Sequence, residues 1–245
     1  MPGAPDAAAP HPATRAVDRR RGRALTGIVL WAASLALLAL VAVLMLLAVR
    51  SIALSDALGR FGIGVLEGGR GALPHWFVEL VATKVMLVPL FALLVVAVLV
   101  AIAAAIVAPV SVVRRILGPL VMVVAAVVTW IGLGQVMRGL QRFTPEDVAV
   151  GALVLAVALT IAVLGTWIGM GSRASGLAAV PLAAFIGVLL PLIALGAIVL
   201  DPDSSFGEPG AARTVFALHW LQVVAVVVVT ALSGFLLTRT ATYRR

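Results

Sequence analysis

Stretches without Asp, Glu, Lys or Arg dominate this chain, and six of them are long: Ala24 to Val49, Val85 to Val113, Ile116 to Met137, Val148 to Ser172, Ala174 to Leu200 and Thr214 to Thr238. The shortest holds 22 residues, and about 20 suffice for a helix to cross the apolar core of a bilayer. Membrane β-strands would instead alternate apolar and polar positions over short segments. The pattern predicts an all-α integral membrane protein, a six-transmembrane-helix bundle with spans at residues 24–49, 80–109, 116–137, 148–172, 174–200 and 214–238.

The intervals between the runs complete the expected layout. Residues 1–23 are rich in Ala and Pro and end in an arginine cluster, which predicts a disordered basic tail. The apolar run that follows is too long for a cleaved secretory signal and has no evident small-residue cleavage site, so the first span is expected to act as an uncleaved anchor. Residues 50–79 form the longest external loop. Within it Leu54, Leu58, Phe61 and Val65 recur at helical spacing, which suits a short amphipathic helix at the membrane surface ending at Gly68 and Gly69. The segment from Asp201 to Arg213 is rich in Asp, Ser, Pro and Gly and predicts a solvated loop, and residues 239–245 form a second short tail. No internal repeat is visible.

Composition agrees with the pattern. Of 245 residues 63% are hydrophobic and 11% charged, against about a quarter charged in soluble domains. Mean hydropathy is +1.19. The net charge of +8 raises nucleic-acid binding as a question, and the placement of the charges removes it. With the N-terminus inside, eleven arginines (15, 19, 20, 21, 23, 114, 115, 173, 239, 244 and 245) face two aspartates on the cytoplasmic side, a net +9. The other side carries seven basic and eight acidic residues, a net −1. That asymmetry is what the positive-inside rule expects of a multi-pass protein of the cytoplasmic (inner) membrane with both termini cytoplasmic. The excess charge then needs no nucleic-acid partner, and membrane lipids are its natural neighbours. There is no cysteine, which rules out disulfides, thiolate metal sites and thiol nucleophiles.

Polar residues within or beside spans are the candidates for chemistry. Lys84, the only lysine, stands at the outer end of the second span near Glu79, either snorkelling to headgroups or facing a polar cavity. Pro89 lies one turn deeper. The outer ends of spans three, four and six carry Gln135, Arg138, Arg142, Glu146, Asp147, Arg213, His219 and Gln222. If those ends converge they form a cationic pocket suited to phosphate or another anion; otherwise the arginines pair with Glu146 and Asp147 as ordinary loop polarity. His219 sits beside Trp220 just inside span six, as an interfacial side chain or a nucleophile. Trp31, Trp76, Trp167 and Trp220 lie toward span ends, where aromatic belts form. Gly165 and Gly169 form a small-xxx-small pair that permits close packing within one chain or in a homo-oligomer. Pro181 and Pro191 flank Gly187 in span five, as in a bent or mobile helix. No nucleotide-binding loop, zinc-protease motif or metal-ligating cluster occurs, and neither metal nor cofactor is expected.

The chain resembles the type 2 phosphatidic acid phosphatase superfamily, whose integral members have six helices and an active site at the outer ends of spans three, four and six. That family carries K-x6-R-P, P-S-G-H and S-R-x5-H-x3-D. The first motif aligns with Gln135 to Phe143, keeping Arg142 but replacing the lysine by Gln135 and the proline by Phe143. The third aligns with Ala212 to Val223, keeping Arg213 and His219 but replacing serine and aspartate by Ala212 and Val223. The second is absent, with Pro145, Glu146, Asp147 and Val148 in roughly its place. The stretch from Asp56 to Leu94 also looks like actinobacterial members.

The resemblance implies His219 as the nucleophile toward phosphorus and Arg142 and Arg213 as ligands of the phosphoryl oxygens. It also implies a missing orienting carboxylate at Val223 and a missing general acid. Losing the partner of a catalytic histidine costs about four orders of magnitude in serine proteases. The expectation is therefore a catalytically degraded, lipid-phosphatase-like pseudoenzyme that binds a lipid phosphate or other anion at its external face through Arg142, Arg213, Gln135, Lys84 and Arg138, or a subunit of a membrane complex. Two alternatives stay open: a small transporter or permease subunit using Lys84 and the bent fifth span, and a phosphatase with residual activity at His219.

Overall fold

The structure, a computed structural model, describes residues 12–60, 87–142, 145–193 and 209–242. Among them six helices are long and apolar enough to cross a membrane. They are α1 (Pro12–Arg60), α2 (Leu87–Val107), α3 (Val112–Arg142), α4 (Pro145–Met170), a composite fifth helix α5 over 174–193, and α6 (Pro209–Thr240). In lipid only structures that pair their own backbone groups are stable, so each long apolar run closes into a helix.

The first helix departs from the expected layout at both ends. It begins at Pro12, where a disordered tail is expected, and runs through Arg60, into the expected external loop. Ala and Arg are good helix formers and proline suits a first helical turn, so the basic segment extends the span instead of fraying from it. At about 1.5 Å per residue this helix is roughly 74 Å long, well beyond a hydrocarbon core of about 30 Å. Leu54 and Leu58 thus lie on a continuation of α1. Phe61, Val65, Gly68 and Gly69 lie outside the described residues, as do residues 1–11 of the tail and 243–245 at the other terminus.

The most enclosed helices are α1 and α4. The first packs on α2, α3, α4 and α6, and the fourth on α1, α3, α5 and α6. The tightest pairing is the α3–α4 hairpin. A Cβ built at Gly139 would lie 2.7 Å from the Val148 backbone nitrogen, and one at Gly151 would lie 2.5 Å from Val136 Cγ2 and 2.7 Å from the Val136 nitrogen. Only glycine lets the two backbones approach this closely.

Trp31 corrects the aromatic-belt reading. It is fully buried, and its ring lies against Gly169 of α4 and Gly118 of α3. A Cβ at 169 would overlap that ring, and Gly165 packs on Met122 of α3 at 3.2 Å from where its Cβ would stand. The small-xxx-small pair therefore serves contacts inside one chain. Trp167 is half-buried, and Trp76 and Trp220 lie outside the residues with described side chains.

Buried hydroxyls are satisfied by backbone carbonyls. Ser34 donates to Ala97 O across α1 and α2 at 2.7 Å, while Thr129 and Thr166 donate to carbonyls four residues back at 2.8 Å. The outward faces of α2 and α3 carry large apolar residues, with Phe91 edge-on to Trp130 at 5.2 Å, as a lipid-facing surface requires.

The fifth helix changes pitch three times, returning to α-helix at residues 190–193. It opens with a 3₁₀ turn (Ala174–Ala178), continues as α-helix (Ala179–Ala184) and widens into a π turn (Phe185–Leu189), where Leu190 N–H donates to Phe185 O. Pro191 follows. Its ring would press on the carbonyl four residues back, and widening the preceding turn relieves that crowding.

Candidate functional site

The candidates occupy the end of the bundle where α3 finishes and α4 and α6 begin. On α3, residues 135, 138 and 142 are spaced i, i+3 and i+7 and share one face. Gln135 is half-buried. Arg138 is exposed, and its Nε–H turns back toward Gly134 O at 3.4 Å, a long contact on its own helix. The Arg142 side chain lies outside the described residues, and so do Glu146 and the whole of Lys84. Asp147 is half-buried at the start of α4.

Position 213 and position 219 both fall inside α6, which begins at Pro209. Six residues of a continuous helix correspond to about 120° around its axis. The inward stripe of α6 runs through Gln222, Val226, Val229, Ser233 and Leu237, and extending it back one turn reaches position 219. Position 213 falls on the opposite stripe, in line with the exposed Val227 and Phe235. The helix thus carries the two matched third-motif positions on different faces. Their side chains lie outside the described residues.

Two described side chains sharpen the site. Gln222, one turn beyond position 219, is 5% exposed, and its Oε1 is buried without a hydrogen-bond partner. A half-turn of that amide would present its NH2 group to the same spot, so the residue can accept from or donate to a bound group. Val223, where the phosphatase motif has its orienting aspartate, is packed in the apolar core. The helix wall at that position therefore holds methyl groups, and a carboxylate there would be buried at high cost.

No family model, curated protein or solved structure matches the chain. The likeness to lipid phosphatases rests on sequence features only: the six runs, the stretch from Asp56 to Leu94, and Arg142, Arg213 and His219 with their spacing.

A transport path through the fifth span finds no polar lining among the described residues. Its inward positions are Ala179, Ala183, Gly187 and Pro191. The nearest atom to a Cβ placed on Gly187 is Ala156 O at 3.9 Å, and Ser233 of α6 reaches across to Ala179 O at 3.5 Å. No cluster of three or more His, Cys, Asp or Glu occurs among the described residues.

The opposite end of the bundle was read from sequence only as a sign of orientation. There Gly171, with φ of 60°, terminates α4, and Gly171 N–H and Ser172 N–H donate to Ile168 O and Trp167 O at 3.2 and 3.4 Å, a glycine-capped helix end. The turn is stitched to the end of α6: Arg173 N–H donates to Thr240 O at 2.9 Å, and Thr242 N–H donates to Gly171 O at 3.2 Å. A glycine just past an apolar run was the available signal for the cap. Nothing local in sequence signals the long-range pairing.

Proposed function

We propose that this protein is a multi-pass component of the cytoplasmic membrane that holds a lipid phosphate or comparable anion at its outer face without hydrolysing it. The observation that carries this reading is the makeup of the inward stripe at the outer end of α6. It is polar at position 219 and at the buried Gln222, whose Oε1 has no hydrogen-bond partner, while the neighbouring position 223 is the core residue Val223. Polar groups at this end of α6 suit an anion, and valine in place of the motif's aspartate at position 223 removes the means of activating a histidine.

The test uses the purified full chain and a polyprenyl phosphate in detergent micelles. Binding should weaken about tenfold in His219→Ala and in Arg142→Ala, a loss of one charge-assisted contact, and no phosphate should be released by any form. Equal binding by all three proteins would sink the proposal. Phosphate release that vanishes in His219→Ala would instead establish a residual phosphatase.

Orientation is testable separately because the chain has no cysteine. In intact cells a membrane-impermeant maleimide should label Arg138→Cys. Arg20→Cys and Arg173→Cys should react only after permeabilisation. The reverse pattern would place the basic residues outside and overturn the positive-inside assignment.

A further inference from the structure

The arginine-rich end of the bundle offers more than net charge. The stitched turn brings together the backbones of elements that each carry an exposed arginine. Arg114, in the first turn of α3, has its guanidinium over Gly171, with Nη1 3.1 Å from where a Cβ would stand. Arg173 lies in the turn itself, and its backbone is bonded to Thr240, the residue after Arg239. The Arg239 guanidinium rests 5.8 Å from the centre of the Phe235 ring. The arrangement is held by the bridge between Ser172 and Ala241, by Ser172 Oγ donating to Leu237 O at 3.3 Å, and by Thr242 Oγ1 donating to Gly171 O. It is therefore part of the fold and not a loose tail.

All three side chains are exposed, and none forms an ion pair with a carboxylate among the described residues. Three exposed guanidiniums on elements joined at one turn have no counter-charge among the described residues, and an anion with several oxygens can engage them through paired N–H donors. What sits beside them narrows the class of anion. Val113 adjoins Arg114, Leu117 follows one turn later, and Phe235 lies under Arg239; these are 71%, 40% and 57% exposed. The cations thus stand at the edge of apolar surface that faces lipid.

We propose that this corner is a binding site for an acidic phospholipid of the leaflet on the arginine-rich side. Arg114, Arg173 and Arg239 hold the phosphate oxygens, and the acyl chains lie along the apolar flank that begins at Val113, Leu117 and Phe235. Basic groups between helix ends at a membrane surface commonly hold such headgroups. Here the stitched turn fixes the backbone that carries Arg173 and Arg239. The site is at the opposite end of the bundle from the one that holds the proposed anion and stands or falls independently of it.

Native mass spectrometry of the full chain, with diphosphatidylglycerol as the probe, tests this directly. Wild type should retain the lipid, and the triple variant Arg114→Gln/Arg173→Gln/Arg239→Gln should bind it about 10- to 100-fold more weakly. The matched triple variant Arg20→Gln/Arg21→Gln/Arg23→Gln removes the same charge from the start of α1 and should bind within about twofold of wild type. Unchanged binding in the first variant, or an equal loss in the second, would overturn a defined site in favour of diffuse attraction. Phosphatidylcholine should not be retained, and millimolar inorganic phosphate should not displace the acidic lipid. Displacement by inorganic phosphate would mean that the corner recognises a free anion, against the proposal. The triple Arg→Lys variant guards against misfolding. It keeps the charge and should bind between wild type and the glutamine variant, whereas binding as weak as that of the glutamine variant, with an unchanged unfolding midpoint, would contradict the charge-based site.

Discussion

Gly169→Leu should destabilise the bundle more than any other single substitution proposed for its glycines. A Cβ alone at this position overlaps the Trp31 ring, and Gly118 of α3 crowds the same ring edge, with its own Cβ position 3.0 Å from both the ring and Gly169 Cα. Overpacking a tight core costs about 1–3 kcal/mol and sometimes more, which for a chain of this size lowers the unfolding midpoint by roughly 2–12 °C. In detergent, the variant should lose its monodisperse size-exclusion peak or unfold at correspondingly lower temperature. The decisive comparison is a double-mutant cycle. Trp31→Ala leaves a large void, costing about 3–5 kcal/mol. Gly169→Leu fills part of that void, so the double variant should be more stable than the sum of the two single losses predicts. Simple additivity would show that the ring and the glycine do not meet.

Gly151→Ala should be nearly as damaging with far less added bulk. The new methyl would stand 2.5 Å from Val136 Cγ2 and 2.7 Å from the Val136 nitrogen. A side-chain methyl can swing away, but a backbone nitrogen moves only if α3 moves. The hairpin must therefore open along its length, at a cost of about 2 kcal/mol. Gly134→Ala is the matched control on α3, since a Cβ there meets nothing within 4 Å. Replacing glycine at an open helical position should stabilise by about 0.5–1 kcal/mol. Thermal unfolding in detergent should thus move in opposite directions for the two substitutions. A drop for Gly134→Ala as large as that for Gly151→Ala would mean that glycine is needed in these helices for some reason other than close approach.

Both predictions concern contacts that a linear reading leaves ambiguous. The six spans were legible because lipid offers no hydrogen bonds to backbone groups, so a long charge-free run has one stable form. Their limits were less so. Charge-free runs mark where a helix can sit in hydrocarbon, whereas α1 and α3 continue through Arg20 to Arg23 and through Arg138 to Arg142 because charged residues do not end helices. Trp31 looked like a belt residue because the glycines that receive it belong to two distant helices.

The candidate site was legible as residue types at helix ends. The helix start at Pro209 matters more than the motif spacing, because it sets positions 213 and 219 on different faces. The arginine corner shows the same limit. Counting charges by side gives a sign and a sum, but only a hydrogen-bonded turn between residues 171–173 and 240–242 tells which arginines are neighbours.

The π turn of the fifth helix has a consequence for how the length of this chain can vary. Its Leu190-to-Phe185 hydrogen bond encloses one residue more than an α-helical bond would. Removing a residue elsewhere in a span rotates everything beyond it by about 100° and shortens it by about 1.5 Å, which exchanges inward for lipid-facing positions. Removing one between Phe185 and Leu189 would close the wide turn into a regular one and leave Pro191 and the residues after it on their present sides. A one-residue deletion there keeps the interior positions in place, at the cost of restoring the crowding between Pro191 and the carbonyl four residues back.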